Sequence, residues 1–454
     1  MTPHRTTKLM RRAAVVAPAL ALLTAGCTPG AETGAEDEGE TAVDTDIEGL
    51  GDVTLTVWDQ EVRGGQEEQI ERLNEEFEET YPNITIDRVA RSADDLSDTA
   101  RLALTDDAPD AIQISNGRPD MGAFVEADLL RDLDPYAEAY GWRDHMASSV
   151  LETVSYSEDG VTFGEGSIYG LPQMGEMVGV FYNQELLDDL DLDAPETWDD
   201  FDTALAEADD ADEIPIQFGN VDQWPGIHEF GALQTRFVDP ETIRDLGYGQ
   251  PGSSWTSEDN EEAAQMLVDW VEEDYFTPDF NGVDYDQAWQ DFATGDGLFL
   301  IAGTWVLADI AAEMDDGAGV GFTALPGADS DDPVATGATG LPFTIPTNAE
   351  NPDAAAAYID FITSEDAMGV LAETGNLPVT DTAEQEAQNE LQQEAFDTFG
   401  ALTEADNLVP YLDWATVDFH DTIAEGVQDL TAEQSTPEEF LQDLETDYVE
   451  HVED

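Results

Sequence analysis

The chain has 454 residues, 41% of them hydrophobic and 9% aromatic, which is enough for two or more separate cores and too apolar for a disordered acidic polymer. It carries 104 Asp and Glu against 14 Lys and Arg, a formal net charge of −90. That balance excludes a nucleic-acid binder, which must neutralise phosphate, and excludes adhesion of the folded body to anionic lipid headgroups.

Four of the basic residues, Arg5, Lys8, Arg11 and Arg12, lie in the first twelve positions, and no Lys occurs after them. So acidic a surface repels itself at low ionic strength, and the repulsion is screened when the Debye length falls to about 3 Å near 1 M salt. The composition therefore predicts a halophilic, acidic protein of a saline exterior.

In chain order, residues 1–27 read as an export signal: a basic start, an apolar run from Ala13 to Leu23 too short to span a bilayer, then "LTAGC". Cys27 is the single Cys and stands where a bacterial lipobox ends, although Thr24 departs from the usual branched apolar residue. Lipidation of Cys27 would anchor the protein to the outer face of the cell membrane. Ordinary cleavage beside an incidental Cys is the plainer alternative. Arg11–Arg12 points only weakly to twin-arginine export. Residues 28–51 are small and acidic and predict a disordered tether.

"DVTLTVWD" (Asp52–Asp59) alternates as a strand. A helix with Ile70, Leu73 and Phe77 on one face ends at Tyr81–Pro82, and "NITIDRV" is a second strand. Leu96, Ala100, Ala103 and Leu104 mark another helix, "DAIQIS" (Asp110–Ser115) a third strand and Met121–Ala127 a short helix. Alternating strands and helices predict an α/β fold with parallel pairs, in which ligands bind beyond the carboxyl ends of strands. Asp59 and Asn116 stand at such ends.

Further on, Thr197 and Asp200 are placed to cap a helix carrying Trp198, Phe201 and Leu205. "IPIQFGN" is a strand ending at Asn220, followed by a loop with Trp224. A helix over Glu261–Glu273 buries Met266, Leu267 and Trp270; "GLFLIAG" is a strand running into Thr304–Trp305. "VGFTALPG" and "GLPFTIP" are short strands, Asn351–Pro352 opens a helix, and Thr436 to Glu439 form a capping box.

Together, "VTLTVWD", "PDAIQIS", "YGLPQMGEMVGVFYNQELL", "PETWDDF", "GTW", "AAAAYIDFITSEDA", "GNLPV" and "STPEEFLQDL" resemble, in order, the family 1 extracellular solute-binding proteins of ABC importers, the maltose-binding-protein-like group. The resemblance covers roughly residues 52–450. It implies a two-lobed periplasmic-binding-protein-like fold of type II, with discontinuous lobes joined by hinge strands. The implied lobes are 52–172 plus 338–380 and 173–337 plus 381–454. It further implies a sugar-binding lipoprotein, a monomer without cofactor, whose partners are a neutral carbohydrate and the transmembrane subunits of an importer.

The resemblance aligns Glu176 with a cleft carboxylate beside a lobe crossing. Such a group can accept charge-assisted bonds from two hydroxyls. Gln173 could serve the same cleft. Trp224 and Trp305 offer flat apolar walls for the C–H faces of sugar rings, with a core role as the competing reading. Asp59, Asn116, Asn220 and Trp414 complete the expected ligand set; Trp142, Trp198, Trp270 and Trp289 go to the cores. Arg118 and Arg236 are the Arg near the expected cleft loops, each read as a local ion pair. "DLDLDAP" (Asp189–Pro195) lacks the Gly of a calcium loop, and no His or Cys stands at metal-ligand spacing. A secreted glycoside hydrolase needs only two carboxylates about 5–10 Å apart and stays open as an alternative, as does a receptor for a non-sugar solute.

Overall fold

A computed structural model describes residues 43–106, 108–313, 319–328 and 332–453. The export segment, Cys27 and residues 28–42 lie outside the described residues. Residues 43–51, the end of the expected tether, are packed against the body that follows. Ile47, in the 3-10 turn Ile47–Leu50, is fully buried. The Asn83 side-chain amide donates to the carbonyls of Ile47 (3.0 Å) and Gly51 (2.9 Å). One Ile docks an otherwise polar stretch, and an average over the segment hides it.

Thirteen strands follow among the described residues. In the first half are β1 (Val53–Asp59), β2 (Ile84–Ala90), β3 (Ala111–Gln113), β4 (Ser155–Tyr156), β5 (Ser167–Ile168) and β6 (Gly170–Leu171). Then come β7 (Gly175–Asn183), β8 (Ile216–Gln217), β9 (Phe299–Gly303), β10 (Val320–Thr323), β11 (Ala335–Thr339), β12 (Phe343–Thr344) and β13 (Leu408–Val409). One sheet runs β2-β1-β3-β12-β6; the other runs β13-β11-β7-β9-β8, with β10 also on β7; β4 and β5 form a separate ribbon.

Each large sheet is the centre of one lobe, and the fold is the two-lobed α/β arrangement. Parallel pairing holds for β1 with β2 and β3, as alternating strands and helices imply. Both sheets are nevertheless mixed, because β12 runs antiparallel to β3 and β6, and β7 antiparallel to β9, β10 and β11. Chain that returns from the other lobe enters a sheet against its direction.

The helices form where the apolar spacing put them. Gly64–Thr80 buries Ile70, Leu73 and Phe77 and stops at Tyr81. Thr197 Oγ1 accepts from Asp200 N at 3.1 Å and starts Trp198–Asp210. Thr436 and Glu439 make the reciprocal capping box of the final helix.

The lobes are stitched where β6 leads into β7 and where β11 leads into β12. A third strand of chain lies alongside: Gly175 N donates to Leu377 O (2.9 Å) and Val379 N to Gln173 O (3.2 Å). β7 is the axis of this region. All nine of its residues are buried, and its mostly apolar run carries one carboxyl, Glu176.

Candidate functional site

Glu176 is the second residue of β7, its Cα opposite Ala338 of β11. Its carboxyl lies over Gly340, where a Cβ would come within 2.9 Å of Oε1. Around it stand groups from both lobes. Glu61, just beyond β1, is fully buried; Gln113 Nε2 donates to its Oε1 at 2.6 Å, and Oε2 has no partner among the described residues. Arg63, at the start of Gly64–Thr80, reaches across to Asp286 (3.0 Å), while Gly64 N donates to Asp309 Oδ1 (3.2 Å). Burial, then the neighbouring Glu61 charge, push the Glu176 carboxyl up to about 8 against the pull of Arg63. Burial pushes Glu61 up to about 7.

The second lobe supplies the walls. Trp224 lies 4.5 Å from Tyr285 and 6.1 Å from Trp305, centroid to centroid. Trp305 Nε1 donates to the Tyr285 hydroxyl at 2.7 Å, which fixes both rings. His228, one turn beyond Trp224, sits 5.3 Å from Trp305 and 5.6 Å from Tyr411. Burial lowers the His228 pKa to about 4, so this imidazole is neutral at pH 7. Tyr285 and Tyr411 both lie within electrostatic reach of Glu176, and the Tyr411 hydroxyl has no hydrogen-bond partner among the described residues. The sequence motif "GTW" has a local cause: a Cβ at Gly303 would collide with the Trp305 ring, which folds back over that glycine.

The expected ligand set divides. Glu176, Trp224 and Trp305 come together. Gln173 is buried beside the same crossing with both amide atoms unpartnered among the described residues. Asp59 is wholly buried, and its oxygens take Arg88 Nη2 (2.7 Å), Arg88 Nε (2.8 Å) and Glu61 N (3.0 Å). Asn116 donates to Thr153 O (3.1 Å) and Thr339 Oγ1 (3.4 Å) in the interior. Asn220 donates to Asn281 Oδ1 and accepts from Gly226 N, both at 2.9 Å.

That second bond secures the start of helix Trp224–Phe237. Trp224 is therefore the first residue of a helix and not part of a loop, since Pro225 is tolerated in a first helical turn. Trp414 is buried at the seam between lobes, against Gly117, where a Cβ would fall 2.6 Å from its ring.

The Arg assignments also change. Arg236 does form a local pair, with Asp202 (2.9 Å) under Trp198. Arg118 has no carboxylate partner among the described residues: its Nη1 donates to Tyr248 O (2.8 Å) and Ala415 O (3.0 Å), across to the second lobe. Arg63, Glu61, His228, Tyr285 and Tyr411 are the residues around Glu176, Trp224 and Trp305 that sequence reasoning passed over. Glu61 and Arg63 follow a strand end by two and four residues, and His228 follows Trp224 by one helical turn. Those two spacings were the available signals. Among the described residues no group of three or more His, Cys, Asp or Glu could hold a metal ion.

Two α/β lobes joined by crossing strands, with aromatic rings and buried hydrogen-bonding groups beside the crossings, have the architecture of a solute-binding receptor. Residues 63–369 match the family described as bacterial extracellular solute-binding protein, and the chain belongs to it. That family consists of binding receptors and not of enzymes. A multiple sugar-binding protein of Streptococcus mutans is 21% identical over 323 residues, covering 70% of this chain and 74% of that one. The solved structure of a chitin oligosaccharide binding protein superposes with a TM-score of 0.76 at 21% identity, covering 89% of this chain and 100% of that one. Maltose-bound MalE3 of T. maritima gives 0.68 at 19% identity, covering 87% and 99%. Among the described residues no helix is long and apolar enough to cross a membrane.

Proposed function

We propose that this protein captures a neutral sugar or oligosaccharide between its lobes and delivers it to the transmembrane subunits of an ABC importer. One observation carries the reading: the packed rings of Trp224, Trp305 and Tyr285 lie beside a lobe crossing that carries a buried carboxyl, Glu176, within electrostatic reach of Tyr285. Flat rings cover the C–H face of a sugar, and the carboxyl takes its hydroxyls. The sugars named for the similar proteins support the same ligand class. Among the described residues no basic cluster surrounds the cleft, which favours an uncharged solute over a polyanion.

The working division is 52–172 plus 338–380 for one lobe and 173–337 plus 381–454 for the other, a reading supported by the sheet memberships of β6, β7, β11 and β12. Lipid on Cys27 would hold the receptor at the outer face of the membrane. Binding would bias an open–closed equilibrium, the closed form being the one that docks.

Thermal-shift measurements in about 2 M NaCl against glucose, maltose, raffinose and chitobiose test the reading. At least one sugar should raise the Tm without being cleaved. Trp224→Ala should then weaken its binding by about 1–3 kcal/mol, the usual range for a well-packed aromatic at a binding surface. Glycosidic cleavage by the pure protein, or no shift with any sugar, overturns it.

A further inference from the structure

Trp224 and Tyr285 open two different helices, Trp224–Phe237 and Tyr285–Ala293, and their rings lie 4.5 Å apart at a tilt of 54°. The chain just ahead of Trp224 sets that relation. Asn220 N donates to Phe280 O (2.9 Å) and Val221 N to Val283 O (3.0 Å), so the approach to one helix is laced to the approach to the other. Asp222 then holds the backbone of both ring-bearing residues. Its carbonyl accepts from Trp224 N (2.8 Å), and its Oδ2 accepts from Tyr285 N (3.2 Å). The second bond is one that the helix cap leaves unmade, because Asp284 Oδ1 takes the N–H groups of Asp286 and Gln287.

Gln223, between Asp222 and Trp224, closes this three-residue turn at φ 67° and ψ −44°. That is the rare form of γ-turn, strained for any residue with a Cβ. Most of the other non-glycine residues at positive φ among the described residues are Asp, whose short polar side chain bonds locally and tolerates such a backbone. Gln223 is held instead from a distance. Its amide donates to Gln428 Oε1 on helix Phe419–Thr431, and the Gln428 amide reaches Asn220 O (3.5 Å). Strain of this kind lasts only where the surroundings over-determine it, and it gathers at ligand clamps.

We propose that Asp222 and Gln223 are positioning residues that lock Trp224 and Tyr285 at one separation and tilt, so that the aromatic wall is rigid before a sugar meets it. This inference rests on the carbohydrate reading and assigns its affinity in part to two residues behind the rings. Rings already fixed in place lose little freedom when a ligand is laid on them, and that saving appears as tighter binding.

Calorimetric titration with the sugar that binds in the panel, on the native chain, Gln223→Gly, Asp222→Ala and Asp222→Asn, tests this, with Tm measured in parallel. In Gln223→Gly the Tm should hold, since the released strain offsets the added freedom of the unfolded chain. Its Kd should nevertheless rise about three- to tenfold, the cost of ordering one large side chain on binding. Asp222→Ala should weaken binding to a similar degree. Asp222→Asn keeps an oxygen for Tyr285 N and should restore the Kd to within about twofold of the native value. Native Kd in both Gln223→Gly and Asp222→Ala, with Trp224→Ala still weakened, overturns this inference and leaves the carbohydrate reading standing. So does a Kd that rises only in step with a falling Tm, the mark of a merely structural turn. Absence of binding by every sugar overturns both.

Discussion

Asp59 and Glu176 are both carboxyls near strand ends, and their surroundings assign them opposite tasks. Asp59 is gripped by Arg88 in the interior, so its role is to hold β1 to β2. Asp59→Asn should cost about 3–5 kcal/mol of stability, as for one partner removed from a buried pair. Chemical denaturation measures this, and a loss of sugar affinity at unchanged stability would contradict it.

His420 is the second residue with a calculable consequence. Its Nδ1 lies 2.9 Å from Asp413 Oδ2, and that hydrogen bond raises its pKa to about 9. Asp120 adds to the effect from the first lobe. The folded value lies above the ordinary 6.5, so the stabilisation is full below about 6.5 and is lost as pH rises through about 9. The Tm difference between the native chain and His420→Asn should be widest at pH 6 and gone by pH 10. A gap that is constant over this range would contradict the assignment.

At the scale of elements, Gly303 ends β9 so that Trp305 can lie back on it. Gly303→Ala should push the ring away from Tyr285. The expected cost is about 1–3 kcal/mol of stability from overpacking, with affinity for the bound sugar falling about tenfold. Parallel thermal-shift and calorimetric measurements read the two effects, and full affinity would mean Trp305 is no wall of the cleft.

Elements of this kind were legible in proportion to how local their cause is. The alternation of β1, the helix face of Ile70, Leu73 and Phe77, and the caps at Thr197 and Thr436 are settled by near neighbours in sequence. The helix at Trp224 was misread because Gln-Trp-Pro-Gly has the composition of a turn, and its start depends on Asn220 reaching Gly226 N. The site divides by the same rule. Glu176 was visible through the resemblance, which set it beside a lobe crossing. Glu61 acquires its character only where Gln113 and Glu176 meet it from distant segments. Arg118 was read as half of an ion pair, but folding turns it toward carbonyls instead.

For the whole molecule, net charge decides how stability responds to the solvent. Raising NaCl from about 0.1 to 2 M shrinks the Debye length from about 10 Å to under 3 Å. The Tm should climb by more than about 5 °C, corresponding to about 4 kcal/mol or more at this size. A flat or falling Tm would show that the acidic surface is no adaptation to salt.

Arg118 belongs to the same setting. The carbonyls of Tyr248, Ala415 and Val161 that it holds carry no net charge, and the guanidinium itself is buried. An electrolyte strong enough to erase surface attractions has little to erase there. A contact built from a cation and dipoles is weakened less by salt than one between two surface charges, so this link across the lobes should outlast the surface ion pairs in brine.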